Sequence, residues 1–352
     1  MKEARKKVLI LATSRLTRGG ITSVVKAHNK GEQWQEYNCK WIETHIDKYI
    51  GYKLLYFLRS FFHFICIVPF YNLVHIHVSE PPSAIRKLLF MIIAKLFNKK
   101  VLIHFHSFSI ETTINSKYHK IYKYLFCNAD IVVVLSAYWQ NELEKKFKIG
   151  SKVKVLYNPC ERPTNKILAA KKMQILFAGT LNERKGYKDL INAFSLIATK
   201  NREWQLILAG NGEIQQGELL AKELGIENQV QFLGWINGDT KEKVFQEASI
   251  FCLPSYAEGF PMAVLDAWAN GLPVICTPVG GLPDIIKNGE NALVFEAGNI
   301  NKLAEHLEKL ISDVQLRNTL SNESNILSKT IFNRDVINSQ LSNIYKELLT
   351  IR

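Results

Sequence analysis

Short apolar runs recur along this chain. Most are closed by glycine, proline, serine or histidine and followed by a stretch with helical spacing. Lys7 to Thr13 (KVLILAT), Leu73 to Val78 (LVHIHV), Lys100 to Phe105 (KVLIHF), Ala129 to Leu135 (ADIVVVL) and Lys154 to Tyr157 form a first series. Met173 to Ala178, Trp204 to Ala209, Val230 to Leu233, Ser249 to Leu253, Val274 to Thr277 and Ala292 to Phe295 form a second. Apolar runs of strand length with little alternation predict strands buried on both faces, as in parallel sheets. Helical stretches between them predict β–α units, and so a doubly wound α/β architecture. The polar, basic, proline-containing residues from Cys160 to Lys172 read as a linker between the two series. Helices are predicted from Ile21, from Tyr187, from about Pro283, and over Asn301 to Asp313 and Val336 to Leu349.

One segment departs from this rhythm. Leu54 to Leu73 is long, apolar and rich in Phe and Tyr. Its length approaches a membrane span, but Arg59, His63 and Pro69 interrupt it, and charge is costly at mid-bilayer. It predicts a helix, core-facing or lying on a membrane interface, that runs into the Leu73 strand. The helix predicted over Ser83 to Phe97 is apolar and carries Arg86, Lys87 and Lys95. Such a basic amphipathic helix beside an aromatic segment suits interfacial binding. It equally suits a packed helix whose charges form its wet face.

Charge sharpens that picture. The formal net charge is +13. Residues 1–166 hold 27 Lys+Arg and 11 Asp+Glu, or +16, and the remainder holds 18 and 21, or −3. A basic N-terminal half attracts an anionic partner, either a membrane surface or nucleic acid. Its charges are spread over a sheet-and-helix domain and show no recognition motif, which argues against nucleic acid. The six cysteines are scattered without a CxxC pair, so neither a disulfide framework nor a cysteine zinc site is expected. The apolar run after Met1 to Lys7 is too short for a signal peptide. At 352 residues and 47% hydrophobic content, two domains with substantial cores are expected.

The candidate chemistry sits at predicted strand ends. Gly19-Gly20 follows the first strand and precedes a helix, the order that cradles phosphate or simply makes a tight turn. Arg184-Lys185-Gly186 places two cations on a β–α loop, where they could neutralise a departing diphosphate or form a solvated turn. Tyr256 to Ile275 reads as loop, helix, turn and strand. Pro261 suits the first helical position, and Gly271 the left-handed position just past the helix end. The helix N-terminus is a ready anion site, with Glu258 on the loop before it and Asp266 inside the helix. His75 and His77 share one face of their strand, as do His104 and His106. Four histidines could suggest a metal, but no acid or cysteine lies near, and strand histidines are more often packed or hydrogen-bonded. His106, last on its strand, is best placed to touch a substrate.

Glu258-Gly259-Phe260-Pro261 through Asp266-Ala267, with Asn270-Gly271-Leu272-Pro273, resembles the signature of retaining family 4 glycosyltransferases of the GT-B fold. The likeness extends to Gly19-Gly20, His106-Ser107, Asn158-Pro159, Arg184-Lys185-Gly186, Gly210-Asn211-Gly212 and Gly280-Gly281-Leu282-Pro283. The resemblance implies two Rossmann-like domains facing across a cleft. Residues 1–165 would form an acceptor-binding domain and 166–335 a nucleotide-sugar-binding domain. Residues 336–352 would form a helix crossing back to the first. It implies that Lys185, with Arg184 beside it, holds the donor diphosphate. Backbone N–H groups around Gly259, Phe260, Pro261 and Met262 would hold phosphate or sugar oxygens. Asp266 would bind the ribose, and Ile236 would contact the base. Gly19 and Gly20 would approach the diphosphate. Glu258 and His106 would be the catalytic residues at the transferred sugar. Two positions depart from the family pattern: Asp266 replaces the usual Glu, leaving room for a water at the ribose, and Thr180 replaces an Arg whose charge Arg184 would supply.

The activity implied is transfer of a sugar, with retained configuration, from a nucleotide sugar to an acceptor hydroxyl. No cofactor and no metal are expected, and the sequence has no Asp-x-Asp near a strand end to hold one. With the basic, aromatic N-terminal half, the acceptor expected is a lipid-linked glycan of exopolysaccharide, capsule or O-antigen synthesis. The chain would then be cytoplasmic and peripheral on the inner face of the cell membrane. A GT-B-like epimerase or a non-catalytic partner subunit is the alternative, and a nucleic-acid-binding protein a remote one.

Overall fold

The computed structural model describes residues 6–163 and 170–350. The chain forms two compact units, Met1–Pro159 with Arg334–Arg352, and Cys160–Asn333. The boundaries expected after residues 165 and 335 fall after Pro159 and Asn333. The reason is local: the Cys160 N–H donates to Phe332 O at 2.7 Å, and residues 160 and 333 form a bridge, so Cys160 already belongs to the second unit. Residues 164–169 of the expected linker lie outside the described residues.

The first unit holds six strands: β1 (Val8–Ala12), β2 (Lys40–Glu43), β3 (Leu73–Val78), β4 (Lys100–Phe105), β5 (Ile131–Val134) and β6 (Val153–Val155). Their order is β2-β1-β3-β4-β5-β6, with every pairing parallel. Alternation divides β3 and β4 between two cores. Val74, Ile76, Val78, Val101, Ile103 and Phe105 face one core, with Phe64, Phe90 and Tyr122. Leu73 and Leu102 face the other, with Val25 and with Ile337, Leu341 and Tyr345 of the helix Arg334–Thr350. By the same alternation His75, His77 and His104 lie on this second face, and all three are buried.

The aromatic segment is a helix over Ile50–Ile67, a single 3-10 turn over Val68–Phe70, and then β3. Only Ser60 and Phe64 of that helix are buried. One face is held down: Ser60 Oγ donates to Glu43 O, Tyr56 OH donates to Glu43 Oε2 at 2.6 Å, and Phe57, Phe61 and Phe64 meet the Phe90 ring edge-on. The core-facing reading therefore holds for this face alone.

The helix Pro81–Leu96 buries a lysine. Lys87 is 2% exposed, donates to Thr44 Oγ1 and lies 5.9 Å from the Phe90 ring centre. Burial, and then the Arg86 charge, hold the Lys87 ammonium well below its ordinary value. The native state thus binds this proton more weakly than the unfolded chain does. Stability rises with pH as the group titrates between its lowered native value and the ordinary lysine value, and below that window the penalty is complete. Lys87→Met is expected to be more stable than the parent by at least ~1 kcal/mol at about pH 7, with the gap narrowing by about pH 9.5. Urea midpoints at the two pH values check this; a gap that widens with pH would contradict it.

The second unit holds β7 (Gln174–Ala178), β8 (Gln205–Ala209), β9 (Val230–Gly234), β10 (Ile250–Leu253), β11 (Val274–Cys276) and β12 (Leu293–Val294). They form a second all-parallel sheet in the order β12-β11-β10-β7-β8-β9. From β7 the chain winds outward through β8 and β9, then returns to the other side of β7 at β10. The order reverses between β7 and β10, and in such sheets ligands bind beyond the carboxyl ends of the strands at this reversal. One expectation fails here. The helix predicted from about Pro283 is a single 3-10 turn, Leu282–Asp284. The Asn291 side chain accepts from Lys287 N–H and donates to Ile285 O, tying the next residues into a loop that turns through Gly289 at φ 82°.

Candidate functional site

The loops after β7 and β10 meet at the reversal point. After β7, Asn182 caps a 3-10 turn over Glu183–Lys185, its side chain accepting from Lys185 N–H at 3.2 Å. Gly186 follows at φ 65°. A Cβ there would stand 2.1 Å from Pro254 O, so glycine lets the two loops touch. The Tyr256 N–H donates to Arg184 O at 2.7 Å across the same gap.

This backbone contact converges three charges. Lys185 Nζ donates to Glu258 Oε1, and Arg184 Nη1 lies 3.6 Å from Glu258 Oε2 while donating to Ala257 O at 2.6 Å. Ser255 Oγ also donates to Glu258 Oε1, at 2.7 Å. Glu258 is 7% exposed and Lys185 largely covered, whereas the Arg184 side chain is one-third exposed. Two cations thus meet one carboxylate, a grouping whose N–H donors could also serve an anionic ligand. Beside it Glu183, Arg184, Gly186, Lys188, Asp189 and Tyr256 line a cavity of about 430 Å³. The Tyr256 hydroxyl donates to Asp189 Oδ2 at 2.8 Å.

The helix after this loop is Met262–Ala269, with Pro261 as its N-cap. Pro261 therefore stands one residue ahead of the first helical position expected for it. Its carbonyl accepts from Val264 and Leu265 N–H, and the loop Gly259–Met262 is where the first-turn N–H groups point. The Phe260 side chain packs inward, its ring 5.4 Å from that of Phe332. Gly271 ends the helix at φ 63°, as expected. Gly280, also at φ 63°, comes against this loop: a Cβ there would lie 2.2 Å from Glu258 O and 2.5 Å from Gly259 O.

Asp266 and Ile236 meet other residues. Asp266 Oδ2 pairs with Lys241 Nζ at 2.6 Å, from the helix Gly238–Glu247. Burial raises the Asp266 carboxyl above its ordinary value, and Lys241 opposes the shift. Ile236 lines another cavity, of about 540 Å³, with Ile207, Leu233 and Val244. Lys241 and Ser255 were not singled out from the sequence. Ser255 is three residues from Glu258, but Lys241 is placed by tertiary folding alone.

In the first unit, Gly19 precedes the helix Gly20–Asn29 with φ 156°, and a Cβ on it would meet nothing within 4 Å. His106 follows β4, half-buried, its Nε2 2.9 Å from His77 Nδ1. Burial, and then His28, push the His106 imidazole down to about 3, so the ring is neutral near pH 7. The ring can then offer one donor and one acceptor to a ligand or neighbour.

The pattern of the family described as "Glycosyl transferases group 1" matches residues 162–325. An uncharacterised glycosyltransferase of Haemophilus influenzae is 30% identical over 236 residues, covering 66% of this chain and 65% of that protein. The capsular polysaccharide biosynthesis glycosyltransferase CapM of Staphylococcus aureus is 25% identical over 259 residues, covering 68% of each. A glycosyltransferase of Methanocaldococcus jannaschii, MJ1607, is 34% identical over 173 residues, and the chain spans 44% of its length. Among solved structures, Anabaena Alr3699/HepE in complex with UDP superposes with a TM-score of 0.78 at 17% identity, covering 97% of this chain and 100% of that one. This likeness shows the fold: two Rossmann-like units of the GT-B type. Residues 162–325 are thus similar to the glycosyl transferases group 1 family, and the chain as a whole has the GT-B fold.

Proposed function

We propose that this chain moves a sugar, with retained configuration, from a nucleoside-diphosphate sugar to an acceptor hydroxyl. One observation carries the reading: Arg184 and Lys185 after β7 converge on Glu258 after β10, where the strand order of the second unit reverses. Lys185 and Arg184 would take the diphosphate, and the Gly259–Met262 backbone its remaining oxygens or those of the sugar. In this reading these cations, and not a metal, stabilise the leaving group as its charge develops. Glu258 would face the transferred sugar. His106 would hydrogen-bond it as a neutral imidazole, and Gly19-Gly20 would approach the diphosphate. Asp266 would bind ribose by sharing its carboxylate with Lys241, and Ile236 would contact the base.

Anabaena HepE has been solved with UDP and with UDP-glucose, which makes UDP the first diphosphate to try. In thermal-shift assays on the full chain, UDP, GDP or ADP at about 100 times its Kd is expected to add about 2.7 kcal/mol of stability. Lys185→Ala is expected to abolish the shift. If no nucleoside diphosphate moves the midpoint, the donor-site reading fails.

The proposed acceptor is a lipid-linked glycan, as in the assembly of capsule, exopolysaccharide or O-antigen, at the inner face of the cell membrane. CapM, a capsular polysaccharide biosynthesis enzyme, supports this setting. The first unit supplies the surface. The helix Ile50–Ile67 is long and apolar enough to cross a membrane by composition, with Leu54, Leu55 and Phe62 each more than half exposed. Its other face is bonded to Glu43 and packed on Phe90, which favours lying in the interface over crossing it. Exposed Leu89, Leu96 and Phe97 on or just after the helix Pro81–Leu96 add to the apolar surface, and Lys53, Arg59 and Lys99 bring charge for anionic lipid. Leu54→Glu with Leu55→Glu and Phe62→Glu is expected to weaken sedimentation with anionic liposomes more than tenfold, since each buried leucine or phenylalanine contributes about 1.5–3 kcal/mol. Unchanged sedimentation would remove this helix from the reading.

A further inference from the structure

The second face of the first sheet carries a block of histidines that the transfer reading leaves unused. His75 and His77 are two apart on β3, and His77 is the direct register partner of His104 on β4. Two residues at i and i+2 with a third on the adjoining strand place three side chains on one face. All three are 1% exposed. The ring centres of His75 and His77 are 4.4 Å apart, and those of His77 and His104 4.9 Å. The possible ligand nitrogens of the three rings lie within 4.8 Å of one another.

These rings have nitrogens without partners. His75 Nε2, His77 Nε2 and both nitrogens of His104 are buried and make no hydrogen bond, as does the nearby His28 Nε2. Buried polar atoms are rarely left so, and this many in one place call for an occupant. The bonds that do exist leave the right atoms open. His75 Nδ1 is 2.7 Å from the Tyr345 hydroxyl, and His77 Nδ1 is 2.9 Å from His106 Nε2. If each Nδ1 carries the proton and donates it, both Nε2 lone pairs are free. Metal-bound histidines are oriented in this way by a hydrogen bond from the second ring nitrogen.

We propose that His75, His77 and His104 form a metal site within the first unit that takes a late first-row transition-metal ion such as Zn²⁺. Imidazole suits this class of ion, and three protein ligands leave a position for water. His28, its ring centre 6.3 Å from that of His104 and its Nε2 also without a partner, is a further candidate ligand. The half-buried His106 lies beside the three, its ring 4.2 Å from that of His104. The ring planes of the three are tilted by only 10° to 28°, so binding would turn the imidazoles toward a common point. The site is independent of the cations assigned to the diphosphate, and its test reads metal, not transfer.

The full chain, without a histidine tag and stripped with EDTA, is titrated with Co²⁺ as a spectroscopic probe and then with Zn²⁺. One equivalent of Co²⁺ is expected to give visible ligand-field bands, displaced by one equivalent of Zn²⁺, and Zn²⁺ is expected to raise the thermal midpoint. His104→Phe and His75→Phe, each checked by circular dichroism, are expected to lose both signals. Failure of the parent chain to bind either ion at micromolar concentration overturns the site. Binding that survives in both folded variants also overturns it, by assigning the metal to surface histidines. A folded variant that loses the signals while UDP still shifts its midpoint supports a site separate from donor binding.

Discussion

Replacing Glu258 by glutamine is expected to cut donor turnover by about 100- to 1,000-fold while nucleoside diphosphate still binds. Glutamine keeps the shape and can still accept from Ser255 Oγ. It removes the charge that Lys185 and Arg184 now share. If the cations take the diphosphate as proposed, that carboxylate competes with it for them in the free protein. Its loss should therefore leave affinity unchanged or tighten it, even as turnover falls. The split separates a role at the sugar from a role in holding the cations: a merely structural acid would lower affinity and turnover together. Calorimetry with the diphosphate and release of diphosphate from its sugar donor supply the two readings. Full turnover by Glu258→Gln would remove the acid from the chemistry.

Gly280→Ala is expected to destabilise the second unit by about 3 kcal/mol, a fall of about 6–12 °C in its thermal midpoint. Two costs combine. A left-handed φ costs an alanine about 1–2 kcal/mol. The added Cβ would also lie 2.2 Å from Glu258 O, a backbone atom that can retreat only by moving the loop. Gly289→Ala separates them, because Gly289 has φ 82° and nothing within 4 Å of the added carbon. It should carry the first cost alone. The Gly280 variant should also lose diphosphate binding, because the Glu258–Met262 backbone is what the Cβ displaces. Equal effects at the two glycines would show that the close approach to Glu258 has no energetic weight.

The residues that could be read in advance are those with strong local punctuation. Eleven of the strands coincide with the apolar runs, nine of which are followed directly by glycine, proline, serine or histidine, and the Met262–Ala269 helix ends at Gly271 where its backbone requirement predicts. Arg184, Lys185 and Glu258 could be named because each sits on a loop at such a strand end. β2 could not: Lys40–Glu43 is four residues at the sheet edge with charge at both ends, which gives almost no pattern. The helix expected from Pro283 was lost to side-chain hydrogen bonds of Asn291 that outweigh helical spacing. Lys241 was invisible because its pairing with Asp266 depends on two helices meeting. Lys87 was read as part of a wet face and is instead enclosed. Composition shows that a helix is amphipathic, but not which of its charges the tertiary fold will cover.

The helix Arg334–Thr350 belongs to the first unit yet is reached only after the whole of the second. Its residues Ile337, Leu341, Tyr345 and Leu348 complete the core over Val8, Leu73 and Leu102. During synthesis, then, the earlier sheet must wait with this face and its histidines uncovered until the last turns leave the ribosome. The second unit can finish folding while the first is still incomplete, so the N-terminal half is the later of the two to mature and the more dependent on chaperones in the interval.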